Sequence, residues 1–132
     1  MVFMKINKEK IDIDTMLIIE HRINQLRKNL NYTFHSFIKM KSRKISKSDI
    51  KTVFKEHEII ECDITQNDFR VLLASKTYHQ GKQIIVCTSL IDGNIITVYK
   101  RNRVYSQTRY LSEKEEENLN YSLIALYNQL VR

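Results

Sequence analysis

Apolar residues recur at alternating steps of three and four through Met16, Ile19, Ile23, Leu26 and Leu30, the spacing of one helical face. Asp12 and Asp14 offer N-caps, so a helix over about 14–30 is predicted. His21 falls on no recognisable constellation there and reads as a surface residue. A second helix is predicted from Phe34, where Phe34, Phe37, Ile38 and Ile45 form the stripe expected to face a core. Lys41 falls in the middle of that stripe and has no place there unless its stem snorkels. The pattern then restarts. Ser46 is a good N-cap with Asp49 at the third helical position, and Ile45 and Ile50 form a hydrophobic staple. A third helix should run from Ser46 or Lys47 to about Lys55 and end at Glu56-His57, with His57 on the surface.

Beyond this point the pattern is that of strands. Glu58–Ile64, Phe69–Lys76, Lys82–Ile91 and Asn94–Arg101 are rich in β-branched and aromatic residues. Val2–Ile6 is a short strand or a lead-in. Asp92-Gly93 predicts a two-residue type I′ hairpin, which sets Thr88 opposite Thr97, Val86 opposite Tyr99 and Cys87 opposite Val98. Gln80-Gly81 marks the preceding turn, with His79 at its tip. Both faces of the last hairpin carry apolar residues, so helices should cover part of each. Ser112-Glu113-Lys114-Glu115 is a capping box, and Leu119, Leu123, Leu126, Tyr127 and Leu130 form one face of a final helix. The expected fold is α+β: N-terminal helices, then a four-stranded antiparallel sheet (a meander), then a C-terminal helix.

Composition sharpens this. A chain of 132 residues, 42% hydrophobic, suits one domain over 1–132. The net charge is +7 and the pI about 9.4. Residues 112–132 hold four acids and two bases, which leaves 20 bases against 11 acids in the first 111. A basic body with an acidic C-terminal patch points to a polyanion, most simply RNA or another nucleic acid. The plainer alternative is an ordinary Lys-rich solvated surface. There is no Pro and only two Gly, so Walker and Rossmann phosphate loops are excluded. Cys62 and Cys87 stand too far apart for a Cys-x-x-Cys metal site and read as free thiols of a reducing cytosol. No cofactor is expected. No apolar run has the length of a membrane span, and Met1–Lys10 lacks the shape of a signal peptide, so no membrane partner is expected.

The candidate chemistry lies on the second helix. His35, Lys39 and Arg43, at i, i+4 and i+8, fall within an arc of about 80°. Imidazole is the side chain best suited to proton transfer near neutrality, and the two cations suit phosphate oxygens, Arg in bidentate fashion and Lys as a point charge. Each has a plainer reading. His35 can be a polar residue with a backbone partner, and Lys39 and Arg43 a solvated helix face.

The run His35-x3-Lys39-Met40-x2-Arg43-x-Ile45-Ser46, followed by Asp49-Ile50, Glu58-Ile59-Ile60-Glu61 and Ile95-Ile96-Thr97-Val98-Tyr99, resembles domain-of-unknown-function family 4258. The likeness covers about residues 33–101; the helices over 14–30 and 112–131 lie outside it. Two positions depart from the family pattern: His57 stands where a glycine usually ends the helix, and Lys39 where arginine is commoner. The resemblance implies a fold similar to the barnase, RelE and EndoU class of ribonucleases, many of them toxins or mobile-element proteins that cut RNA without a metal. It implies a catalytic set of His35, Lys39, Arg43, Thr97 and Tyr99. Separately, Lys41, Lys44, Lys47, Lys100 and Arg101 are the candidate nucleic-acid-binding cations of the basic body. Thr97 can equally be an ordinary strand residue, and Tyr99 a packing residue. Two other readings stay open. One is a non-catalytic protein on the same scaffold that binds nucleic acid or an acidic antitoxin or other partner protein. The other is a structural protein with no nucleic-acid contact.

Overall fold

In the computed structural model, residues 4–7, 11–64, 67–78 and 80–102, together with 126 and 128, are described. Side-chain caps start each helix. Asp12 accepts from the Thr15 amide ahead of α1 (Ile13–Arg27), and Thr33 accepts from the Ser36 amide ahead of α2 (Phe34–Arg43). Ser46 and Asp49 form a reciprocal capping box at α3 (Lys47–Lys55). The strands are β1 (Met4–Asn7), β2 (Asn31–Tyr32), β3 (His57–Ile64), β4 (Phe69–Ser75), β5 (Gln83–Ser89) and β6 (Asn94–Arg101).

These strands form one mixed sheet of six in the order β1-β3-β4-β5-β6-β2. That overturns the expected four-stranded antiparallel sheet. β1 adds an antiparallel edge through Ile6 opposite Cys62, and β2 adds a parallel edge through Tyr32 opposite Ile95. The parallel edge escaped the sequence because two residues, Asn31 and Tyr32, are too few to show a period of two. The helix expected over 112–131 lies outside the described residues, apart from Leu126 and Asn128. Both of these are helical, and Leu126 is buried in the core.

The sheet has two unlike faces. On the first, Ile59, Cys62, Val71, Leu73, Val86 and Val98 pack with Ile50, Val53 and Phe54 of α3 and with Ile19 and Ile23 of α1. On the second, Leu72, Ala74, Ile85 and Cys87 form a smaller cluster joined by Ile60, Ile96 and Tyr99. His57, read as a surface residue, keeps its side chain only 6% exposed. Its Nδ1 lies 3.0 Å from the Val53 carbonyl at the end of α3, and its Nε2 lies 2.9 Å from a Glu20 carboxylate oxygen on α1. An imidazole here satisfies helix-end carbonyls and ties α3 to α1, which a glycine cannot do.

The last hairpin also departs from expectation. Thr88 lies opposite Ile95, Cys87 opposite Thr97, Val86 opposite Val98 and Ile85 opposite Tyr99, with a bulge between Cys87 and Thr88. The connection is a four-residue loop closed by the Gly93 amide on the Ser89 carbonyl at 3.0 Å. Burial of Leu90 outweighs the local Asp-Gly preference. Arg22 of α1 then holds the loop, its Nε donating to the Leu90 carbonyl at 2.7 Å. Gly93 has φ +81°, and a Cβ there would meet Leu26 at 2.8 Å, so this position requires glycine.

Candidate functional site

α2 lies beside β6 rather than over a sheet face. β2 pairs with Asn94 and Ile95 of β6, and among the described residues no strand pairs with the edge that continues from the Ile95 carbonyl. The helix takes over that edge through two side chains. Thr33 Oγ1 donates to the Ile95 carbonyl at 2.7 Å, and Arg43 Nη1 donates to the Val98 carbonyl at 2.6 Å. Two obligatory acceptors are thereby satisfied without a further strand. Arg43, expected as a phosphate clamp, thus has a structural task.

Only a narrow strip of α2 faces inward: Ser36 and Met40 are buried. Taking about 100° per residue from Ser36, Met40 lies at about +40°, Arg43 at −20°, Lys39 at −60° and His35 at −100°. Met40 belongs to the main core on the first face, while Arg43 reaches the strand edge. The flank carrying Lys39 and His35 therefore turns toward the second face. Lys39 is half-buried and His35 exposed.

Thr97 and Tyr99 share that second face. In register, Glu61, Leu72, Cys87 and Thr97 form one row across β3 to β6, and Ala74, Ile85 and Tyr99 form the next. Tyr99 packs on the small apolar cluster. Lys100 lies opposite Ile84 of the main core, whereas Arg101 lies opposite Gln83, so these two cations point to opposite faces. The Arg101 Nε is buried without a hydrogen-bond partner. Burial pushes the Cys87 thiol up to about 12, with Asp63 adding to the effect. This thiol stays protonated beside Thr97 and is no nucleophile.

The stripe expected to face the core does the reverse. Phe34 is 81% exposed, Ile38 48% and Phe37 42%; only Ile45 is buried. With Lys41, the first three line a surface groove of about 450 Å³. Phe37 stacks at 5.3 Å on Tyr32, and Lys47 Nζ sits 5.1 Å and 5.2 Å from the two ring centroids. Lys41 was the signal: a cation centred in an apolar stripe marks a solvent-facing stripe. Lys44 is exposed at the α2 C-cap with φ 55°.

Of the sequence-derived site, α2 and β6 bring Arg43 to the edge and set His35 and Lys39 on the side of Thr97 and Tyr99. Lys41, Lys44 and Lys47 lie on the outer part of the helical layer, and Lys100 on the opposite face. The acids Glu58, Glu61 and Asp63 lie at the far side of the second face; the sequence assigns none of them to the site, because a bulge after Ile59 changes which residues of β3 share a face. No described helix is long and apolar enough to cross a membrane.

A family model described as "Domain of unknown function (DUF4258)" matches residues 32–100, slightly more than half of the chain. No curated protein and no solved structure gives a match.

Proposed function

The chain belongs to the DUF4258 family, and from that premise we propose that it is a metal-independent ribonuclease acting at the junction of α2 and the second face of β6. The supporting observation is the Arg43–Val98 bond, which seats α2 so that the His35–Lys39 flank and the Thr97–Tyr99 row turn to one side. The kinship with the barnase, RelE and EndoU class that the motif run suggests is part of this proposal.

In the proposed reaction, His35 takes the proton of a ribose 2′-hydroxyl, whose oxygen attacks the neighbouring phosphorus. The P–O5′ bond breaks, the leaving oxygen takes up a proton from solvent water while the His35 imidazolium returns its proton to solvent, and a 2′,3′-cyclic phosphate remains. Lys39 holds the charge that gathers on the non-bridging oxygens, and the hydroxyls of Thr97 and Tyr99 position the phosphate. Arg43 keeps the helix at the strand edge, and its remaining guanidinium nitrogens add positive charge beside the same phosphate. A toxin of this type would need an acidic antitoxin to mask the basic helix. Capture of Arg43 by a backbone carbonyl also favours a second reading, in which the scaffold binds nucleic acid without cutting it.

Incubation of the protein with single-stranded RNA in a chelator separates the two. Cleavage is expected, with 2′,3′-cyclic phosphate ends, and His35→Ala should slow it by on the order of 10²-fold while leaving affinity nearly unchanged. Equal rates for wild type and His35→Ala would remove His35 from the reaction. Salt-dependent binding without cleavage would leave the non-catalytic reading.

A further inference from the structure

The outward face of α2 is not used by the proposed reaction. Three large apolar side chains on a short helix stand in solvent, and Phe34 is the most exposed large hydrophobic residue described. Burying them would be favourable, so their exposure asks for an occupant. We propose that this face is a stacking platform for unpaired bases of single-stranded RNA, with Phe34 as its principal ring and Lys41 meeting the adjoining phosphate. The inference rests on the RNA-binding part of the proposed function and adds to it a substrate class, single strands rather than duplex.

Charge selects among occupants. Lys41, Lys44 and Lys47 lie on this outer side of the helical layer, and residues 34–47 contain no acid. Two copies of this face brought together would set those cations against one another, which disfavours a homodimer here. A polyanion gains from the same cations. Shape selects further. Phe34, Phe37, Ile38 and Lys41 stand at i, i+3, i+4 and i+7, one stripe of a single helix. An amphipathic partner helix laid along this stripe would have to bring acids to meet these cations. A planar base needs only one ring face and a neighbouring cation, the combination by which proteins hold single strands. Lys47 and Tyr32 already pack against Phe37. That leaves Phe37 as the wall of the groove and Phe34 as the open ring.

The second face and this platform lie on successive sides of α2, with His35 on the flank beside Phe34. A strand whose scissile phosphate lies at His35 and Lys39 can therefore lay a flanking base on Phe34 without leaving the helix. Duplex RNA keeps its bases inside the stack and cannot do so.

The test is fluorescence anisotropy with a labelled single strand of 2′-O-methyl RNA, which lacks the attacking hydroxyl and stays whole, and with a duplex of the same length. Wild type is expected to prefer the single strand. Phe34→Ala should weaken single-strand binding by on the order of 10-fold, the scale of one base–aromatic stack, and leave duplex binding unchanged. Phe34→Trp should retain the preference. Lys41→Gln should flatten the slope of log affinity against log salt by about one, whereas Phe34→Ala should leave that slope as it is. Thermal melts of each variant check that the fold is intact. Wild-type binding of the single strand by Phe34→Ala would overturn the platform and leave the ribonuclease reading standing. Binding of neither RNA by wild type at low salt would remove both. A wild-type dimer that Phe34→Asp converts to monomer would also overturn the platform, giving this face to a second copy.

Discussion

α2 and α3 are neighbours of similar length, both strongly amphipathic and both Lys-rich, yet they spend their apolar residues in opposite ways. α3 lies across the first face of the sheet and buries Ile50, Val53 and Phe54 almost completely. α2 lies beside β6, buries only Ser36 and Met40, and leaves Phe34 and Ile38 in solvent. A helix over a sheet face meets a broad apolar surface. A helix beside a strand edge meets a row of backbone groups, and what it needs there are hydrogen-bond donors. Thr33 and Arg43 supply them. The same periodicity in sequence therefore yields a core helix in one place and a presenting helix in the other.

The sharpest way to break this comparison is to truncate one aromatic ring on each helix. Phe54→Ala should destabilise the domain by about 3–5 kcal/mol, the usual cost of an emptied core position. Phe34→Ala should change stability by about 0.5 kcal/mol or less, as expected of an exposed residue outside any cap or cavity. Chemical denaturation of both variants measures the difference. Comparable losses would mean that α2 is as much a core element as α3.

A smaller effect isolates how α2 is held. Arg43→Met removes the donor to the Val98 carbonyl and leaves that edge acceptor unpaired, at a cost of about 1–3 kcal/mol. Arg43→Lys keeps the charge but not the fixed fork, so it should recover only part of the loss. Full recovery by lysine would assign the effect to charge alone. Under the proposed ribonuclease reading, in which His35 and Lys39 depend on the seating of α2, cleavage should fall in Arg43→Met even where the protein remains folded.

The sequence was legible wherever local pattern and tertiary burial agree. The capping box at Ser46 and Asp49 forms at the start of α3 as expected, and the stripe from Met16 forms α1, although that helix ends at Arg27, short of the expected Leu30. It was illegible wherever a distant partner decides. Nothing near His57 announces Glu20, 37 positions earlier. Nothing near Asp92-Gly93 announces that Leu90 will be buried in a four-residue loop and its carbonyl held by Arg22, 68 positions away. That change moves Thr97 from Thr88 to Cys87 and so changes its neighbours on the second face. For α2, the expected arc of His35, Lys39 and Arg43 follows from helical spacing alone. Which of its faces would meet the sheet does not, since the sheet edge selects donors over apolar area.

The smallest effect lies at the end of α2, where the two helices meet. Lys44 holds φ 55° so that the Ile45 amide can reach back to the Met40 carbonyl at 2.9 Å and Ile45 can enter the core. That conformation costs a non-glycine residue about 1 kcal/mol, and glycine recovers it less the entropy that glycine adds to the unfolded chain. Lys44→Gly should therefore stabilise the domain by about 0.5 kcal/mol, whereas Lys44→Ala, which removes the same charge without relieving the backbone, should not. In RNA binding the two should behave alike, each lowering the salt slope by about one if Lys44 meets a phosphate. Lys44 sets an exposed cation at the end of the presenting helix. If both variants bind RNA with the wild-type salt slope, Lys44 lies outside the contact surface, and the presenting role of α2 ends at Lys41.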